Sequence, residues 1–352
     1  MQPAPLLLAW YDRVKRDLPW RSSKNPYRIW ISEIMLQQTR VETVKGYYAR
    51  FLALFPTIEA LAQAPQEQVL KAWEGLGYYS RARNLQKAAK LMLAEFGGEF
   101  PHSYDEMLKL SGIGPYTAGA VASIAFDERV PAIDGNVYRV AARFFGVRED
   151  IGAPATQRQI RALVFESLPP ARVGDYNQAL MELGATLCAP AMPACDLCPW
   201  FALCNAAREG DAELLPIHEK KRPPKLVDVA VCLLTYNGKV LVVRRDQRML
   251  RGLYVFWLIE EETDPIRVRE LLSEAGLSCG ACVPLGSARH VFTHRVWEMQ
   301  LLRFPLTQAP KEQWLTEHHA HFASPQELSA LPLPTAMKAA KAAAMAAADG
   351  EG

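Results

Sequence analysis

No apolar run in the 352 residues approaches the length of a membrane span, and no charge of one sign dominates, since 40 Lys and Arg against 38 Asp and Glu leave a formal net charge of +2. The first absence argues against a membrane-spanning helix. The second excludes a chain that holds nucleic acid by bulk charge alone, so a nucleic-acid partner has to be argued from local motifs. Cysteine is sparse, seven in all, and the opening MQPAPLLLAWYDRVKRD runs straight into charge. The expectation is a protein without a cleavable leader in a reducing cytosol, where a disulfide framework does not form.

Four of those seven cysteines nevertheless crowd together. Cys188, Cys195, Cys198 and Cys204 have six, two and five residues between them. Thiolates gathered this way point to a metal. Zinc usually takes two close pairs on separate knuckles, whereas here one close pair is flanked by single cysteines on longer loops. That spacing suits a 4Fe–4S cube better, with zinc as the alternative. With all four ligands spoken for, such a group would staple a loop. Cys279 and Cys282 form another close pair, for which structural thiols are the plain reading and a second metal with His290 or His294 the sharper one. His318, His319 and His321 lie in a polar stretch and receive no role.

The length suggests two domains, and the chain changes character near residue 213. Before it, apolar residues recur at helical spacing, as in Ile31, Ile34, Met35 and Leu36, between Pro and Gly turns. Residues 1–212 therefore read as all-α. Residues 213–226, with PIHEKKRPPK, read as a stiff connector. Residues 227–334 read as α+β: a strand from Val227 to Thr235, a type I′ turn at Asn237-Gly238, a returning strand from Val240, a helix over Pro265 to Ala275 and a strand near Val296 to Phe304. Residues 335–352 are Ala-rich and read as a dispensable helix or frayed end.

Three segments carry chemistry. In LSGIGPYTAG, Gly112 and Gly114 make a tight turn that opens onto a helix, a shape that can grip phosphate with unpaired amides, though most such turns are only turns. Asp134, about twenty residues on in IDGN, opens a new helix. It is a plain N-cap or a carboxylate facing a developing cation. Glu33 lies among bulky apolar residues, where burial would let it hold a proton near neutrality; a solvated helix face is the alternative. A proton-holding and a charged carboxylate together are what N-glycosidic cleavage uses.

The strings ISEIMLQQTR, GLGYYSRARNL, LSGIGPYTAG and IDGN, followed by the four cysteines, resemble the helix-hairpin-helix DNA glycosylases of the endonuclease III superfamily, and within it the A/G-specific adenine DNA glycosylase (MutY) family. The resemblance covers the helical portion almost end to end. It implies an all-α helix-hairpin-helix fold with an iron–sulfur loop holding a 4Fe–4S cluster, joined to a Nudix-like α+β domain. It implies Glu33 as general acid, Asp134 as stabiliser of the sugar cation, and Tyr116 and Asn136 as their supports. Trp20, Arg21 and Gln178 would line the adenine pocket. Gln38, Thr39, Leu76 and Tyr78 would meet the opposite 8-oxoguanine. Where lyase relatives place a lysine this chain has Tyr116, which implies base removal without strand cleavage. Arg269 to Leu277 resembles a Nudix box with Ser273 in place of a glutamate, so diphosphate hydrolysis should be crippled. Phe292-Thr293-His294 matches a Phe-Ser-His loop that reads oxidised guanine, with Thr for Ser. The loop from Ala189 to Ala194 lacks the basic residues relatives often carry there.

The expected partner is duplex DNA with adenine opposite 8-oxoguanine or guanine, engaged by a monomer that stays off membranes and works in the cytoplasm at the nucleoid. The rival readings are a pyrimidine-damage glycosylase with lyase activity, a Nudix hydrolase of nucleotides, and a DNA-binding protein without catalysis.

Overall fold

The computed structural model describes residues 3–219, 223–247 and 249–349. Residues 220–222 of the expected connector and 350–352 of the tail lie outside that range. The chain forms two compact units, one of residues 1–64 and 80–220, the other of residues 65–79 and 221–352. The short stretch Pro65–Tyr79 thus belongs to the second unit, although it lies deep within the sequence expected to be the first domain.

In the first unit, α1 (Pro3–Val14), α2 (Pro26–Leu36), α3 (Val41–Leu54) and α4 (Ile58–Gln63) precede the crossing segment, which holds α5 (Gln66–Ala72). The unit resumes with α6 (Ser80–Glu95), α7 (Tyr104–Met107), α8 (Pro115–Phe126), α9 (Gly135–Phe145), α10 (Pro154–Ser167), α11 (Val173–Thr186) and α12 (Asn205–Glu209). Local signals set these ends. Asn25 caps α2 by accepting from the Arg28 N–H, Pro26 supplies a first-turn residue with no donor to satisfy, and Gly146, in the left-handed region, stops α9. One core gathers Leu7 and Tyr11 of α1, Val137 and Val140 of α9, Ile160 of α10 and Tyr176, Leu180 and Leu183 of α11. Gly184 lets α11 approach the start of α9, since a Cβ there would meet the Asn136 Cβ at 2.7 Å.

The second unit is built on a mixed sheet of β1 (Lys225–Tyr236), β2 (Lys239–Arg244), β3 (Tyr254–Val255), β4 (Trp257–Glu260), β5 (Val283–Val291), β6 (Arg295–Pro305) and β7 (Ala320–Ala323). Its order is β3-β2-β1-β6-β5, with β4 also pairing β1 and β7 pairing β2. β1 and β6 run parallel over their length; the other pairs are antiparallel. Asn237 and Gly238 both take positive φ, as the expected type I′ turn requires, and set Tyr236 opposite Lys239. β1 is buried on both faces. Val227, Val229, Val231 and Leu233 pack toward Leu328 of α15 (Pro325–Ala330), while Ala230, Cys232 and Leu234 pack toward Val268 and Leu272 of α13 (Pro265–Glu274). α14 (Glu312–Glu317) and α16 (Lys338–Asp349) complete the unit.

The Ala-rich tail differs from expectation. Met337 and, in α16, Ala340 and Ala344 are buried in the core that holds Val229 and Trp297. Small side chains let this helix lie close on its neighbours, so the low-complexity composition marks tight packing here. The segment Pro65–Tyr79 is tied to the same unit by polar clips. Lys71 Nζ donates to the carbonyls of Ser329 at 2.7 Å and Leu331 at 3.2 Å, and Tyr79 Oη donates to that of Leu333 at 3.2 Å.

Candidate active site

α2 is buried nearly all round, and Glu33 is carried inside with Ile29, Trp30, Ile34 and Met35. Its exposure is 6%, which settles the choice between a solvated face and an enclosed acid. The Tyr116 hydroxyl, from the first turn of α8, donates a short hydrogen bond to Glu33 Oε2 and lies 3.7 Å from Met181 Sδ. Burial pushes the Glu33 carboxyl up to about 7; the Tyr116 hydrogen bond pulls it down, the charge of Asp134 adds to the rise, and Arg21 opposes it. Burial, together with Glu33 and Asp134, raises Tyr116 well above its ordinary value, so this hydroxyl stays a donor.

Asp134 is the N-cap of α9, accepting the Val137 N–H at 2.7 Å. It therefore is a cap, and it also lies near enough to Glu33 for its charge to be felt there. Burial pushes its own carboxyl up, against the pull of the Val137 N–H, Asn136 and Arg139. Asn136 Nδ2 donates to Asp134 Oδ2 at 3.0 Å, and Arg139 Nη2 holds the other end of that amide at 2.9 Å. Arg139 in turn donates to the carbonyls of Gly184 and Cys188. Glu33 and Tyr116 thus form one hydrogen-bonded pair and Asp134 and Asn136 another, and the charge of Asp134 is felt at Glu33.

The expected base pocket is partly drawn in as well. Trp20 is buried edge-to-face against Tyr48 with ring centroids 5.6 Å apart. Arg21 Nη2 donates to Glu182 Oε2 at 2.7 Å, and Arg16 Nε donates to Oε1 of the same carboxylate at 2.5 Å. Gln178 stands half-buried one turn before Glu182 on α11. Sequence reasoning passed over Arg16, Met181 and Glu182. The available signal was the four-residue spacing from Gln178 to Glu182, which puts both on one helix face.

The Gly112–Gly114 turn has the expected form. Gly112 has φ +78°, and any Cβ there would strike Asn84 of α6 at 2.6 Å, so the turn is seated on α6 and requires glycine. Gly114 caps α8 and Pro115 opens it. Gln38, at φ +57°, is exposed just past α2, and Thr39 Oγ1 lies 3.5 Å from Arg81 Nη2. Arg81 itself is buried and its Nη1 donates to the carbonyls of Ile34, Met35 and Gln37, which closes the open end of α2.

In the second unit, Tyr78 is 47% exposed while Leu76 is 5% exposed, so Tyr78 is presented at the surface and Leu76 is held inside. Phe292 packs edge-to-face on Trp297, and the next two residues of the β5–β6 loop, Thr293 and His294, are exposed. Tyr78 Oη and Thr293 Oγ1 are hydrogen-bonded at 3.0 Å. On α13, Arg267 Nη1 reaches Glu270 at 2.8 Å and Glu274 at 3.2 Å, so one guanidinium holds both carboxylates that remain of the Nudix-like box.

Cys188, Cys195, Cys198 and Cys204 all line one cavity with Arg143, Leu187 and Phe201. Buried Arg143 fixes its wall, with Nη1 3.2 Å from Cys188 Sγ and donating to the Ala189 carbonyl at 2.7 Å, and Nη2 to that of Pro190 at 2.8 Å. Among the described residues, no three or more His, Cys, Asp or Glu side chains are spaced to hold a single metal ion. Among the described residues no helix is long and apolar enough to cross a membrane.

Residues 31–166 match the HhH-GPD superfamily of base excision DNA repair proteins, and residues 229–343 match the NUDIX domain. A solved thermostable thymine-DNA glycosylase is 29% identical and aligns over 58% of this chain and 95% of its own with a TM-score of 0.53. An endonuclease III–DNA complex shares the fold at 23% identity, over 59% of this chain and 94% of its own, with a TM-score of 0.51. The first unit is thus a helix-hairpin-helix glycosylase fold and the chain is a DNA glycosylase. Adenine DNA glycosylases of mouse and human are 36% and 34% identical over 88% and 90% of this chain, and over 73% and 71% of their own. That of Buchnera aphidicola (strain Bp) is 41% identical over 68% of each. The chain belongs to the adenine DNA glycosylase family.

Proposed function

We infer that this enzyme removes adenine paired with 8-oxoguanine or guanine from duplex DNA, acting as a monomer and without strand cleavage. The observation that carries the reading is the Glu33 carboxyl, enclosed, hydrogen-bonded to Tyr116 and pushed up to about 7, with Asp134 close by.

An adenine taken out of the stack enters beside Trp20, Arg21 and Gln178. Glu33 gives its proton to adenine N7, the N-glycosidic bond breaks with its electron pair leaving on the base, and the sugar becomes an oxocarbenium ion. Asp134, oriented by Val137 and Asn136, faces that cation with its carboxylate. Glu33, now ionised, takes a proton from the water that adds at C1′, which leaves an abasic site and restores the acid. Tyr116 cannot form the Schiff base through which a lysine would cleave the strand.

The four cysteines, gathered around one cavity whose wall Arg143 fixes, fit a 4Fe–4S cluster. When bound, the cluster supplies a covalent cross-link of the loop after α11. The residues assigned to the opposite base are Gln38 and Thr39 in the first unit and Tyr78, Thr293 and His294 in the second, where hydroxyl and imidazole can hydrogen-bond an oxidised purine. The Gly112–Gly114 turn grips backbone phosphate through its amides. The place of work is the DNA of the cytoplasm or nucleoid.

The test is single-turnover excision from a duplex with adenine opposite 8-oxoguanine, read with and without alkali. Breaks that need alkali are expected; breaks without it would favour the lyase reading, and no breaks at all would reject the assignment.

A further inference from the structure

Glu182 has no part in the chemistry above, yet its carboxylate is 1% exposed and takes three N–H donors: Arg16 Nε at 2.5 Å, Arg16 Nη2 at 3.1 Å and Arg21 Nη2 at 2.7 Å. A carboxylate is taken this far from water at several kcal/mol unless it is well paired, so the group is held for a reason. Arg21 is fixed a second time, since its Nη1 donates to the Arg16 carbonyl at 3.0 Å, and its guanidinium lies 5.6 Å over the Tyr11 ring. Two of its five N–H groups are thereby committed, and the plane in which the others point is set.

We propose that Glu182 is a positioning residue for base excision: it holds Arg21 at the base pocket in one orientation and offsets part of the positive charge that Arg21 would otherwise bring to bear on Glu33. This rests on the reading of Glu33 as the proton donor.

The direction of the effect follows from charge alone. Two guanidiniums and one carboxylate leave a net charge of +1 on the cluster, and removing the carboxylate leaves +2 with the same two arginines in place. Arg21 already pulls the Glu33 carboxyl down. A stronger positive field favours ionised Glu33 and empties the proton donor at lower pH. The groups bearing on Glu33 are Tyr116 from α8, Asp134 from the start of α9 and Arg21 from the Pro19–Arg21 turn. Those bearing on Glu182 are Arg16 and Arg21, with Tyr11 of α1 and Glu42 of α3 next outward. Burial opposes ionisation of Glu182, and the hydrogen bonds and charges of the two arginines overcome it, so it stays charged across the working range.

Two substitutions should move the reaction in opposite directions. Glu182→Gln keeps the shape and removes the charge; the alkaline limb of the single-turnover excision rate moves toward acid. A one-unit move lowers the rate about tenfold at pH 8 and less than threefold at pH 6. Arg16→Met, at a side chain 42% exposed, removes a positive charge and moves the limb toward alkali. Circular dichroism and a melting scan accompany both. If Glu182→Gln does not fold, the alkaline move in Arg16→Met alone carries the test. Equal losses at both pH values, a limb unmoved in the variants that fold, or the same direction for both overturns the proposal while excision by the unsubstituted enzyme keeps the functional reading intact. If that enzyme shows no excision of adenine, both fall together.

Discussion

Tyr78 and Thr293, 215 positions apart, share a hydrogen bond of 3.0 Å between their hydroxyls. Distant stretches of sequence thus bring two exposed hydroxyl residues to one polar point on the surface of the second unit. Tyr78→Phe and Thr293→Val should each reduce the preference for 8-oxoguanine over guanine opposite adenine by several-fold. Their effects should be coupled by ~0.5–1 kcal/mol in a double-mutant cycle on single-turnover rates. Independent effects would mean that the two hydroxyls act separately.

Glu33→Gln should lower single-turnover excision by on the order of a hundredfold or more and leave duplex binding near normal. Loss of binding to the same degree would instead give Glu33 a folding role.

The same substitution has a signature in stability. Because burial raises the Glu33 carboxyl from 4.5 to about 7, the folded enzyme binds more protons than the unfolded chain across that window. Stability therefore falls as pH rises through it, by up to about 3 kcal/mol. Glu33→Gln has no such proton to lose. Its melting temperature should be close to that of the unsubstituted enzyme at pH 4.5 and exceed it at pH 8, and a gap that does not widen with pH would contradict the buried acid.

Purified enzyme should carry roughly four iron atoms per chain with the visible absorbance of an iron–sulfur group. Cys198→Ser should reduce both. Zinc in place of iron would restore the alternative left open by the cysteine spacing.

Truncation after Pro334 should destabilise the second unit by about 3–5 kcal/mol, because Met337 and Ala340 are at most 1% exposed and leave a void among buried neighbours. Limited proteolysis would show cleavage within residues 225–334. An unchanged digestion pattern would return the tail to a dispensable appendix.

What sequence made legible was local. The Asn237-Gly238 turn, the cap at Asp134, the hairpin glycines and the helix from Pro265 are each dictated by residues within a few positions. Glu33 was legible because most of its neighbours on α2, Ile29, Trp30, Ile34 and Met35 among them, are bulky and apolar. Partners across long separations were not: Arg16 and Glu182 are 166 positions apart, and nothing near either names the other. The return of Pro65–Tyr79 to the second unit was hidden for the same reason, since Lys71 finds its acceptors in the backbone of Ser329 and Leu331, and a carbonyl has no sequence identity. Alanine misled about the tail because the same composition serves a frayed end and a closely packed helix.

The clasp of Arg267 on Glu270 and Glu274 has a consequence for ionic conditions. Two carboxylates that share one guanidinium leave less uncompensated negative charge on this face of the helix. Chelation of divalent ions should therefore leave this half of the protein folded.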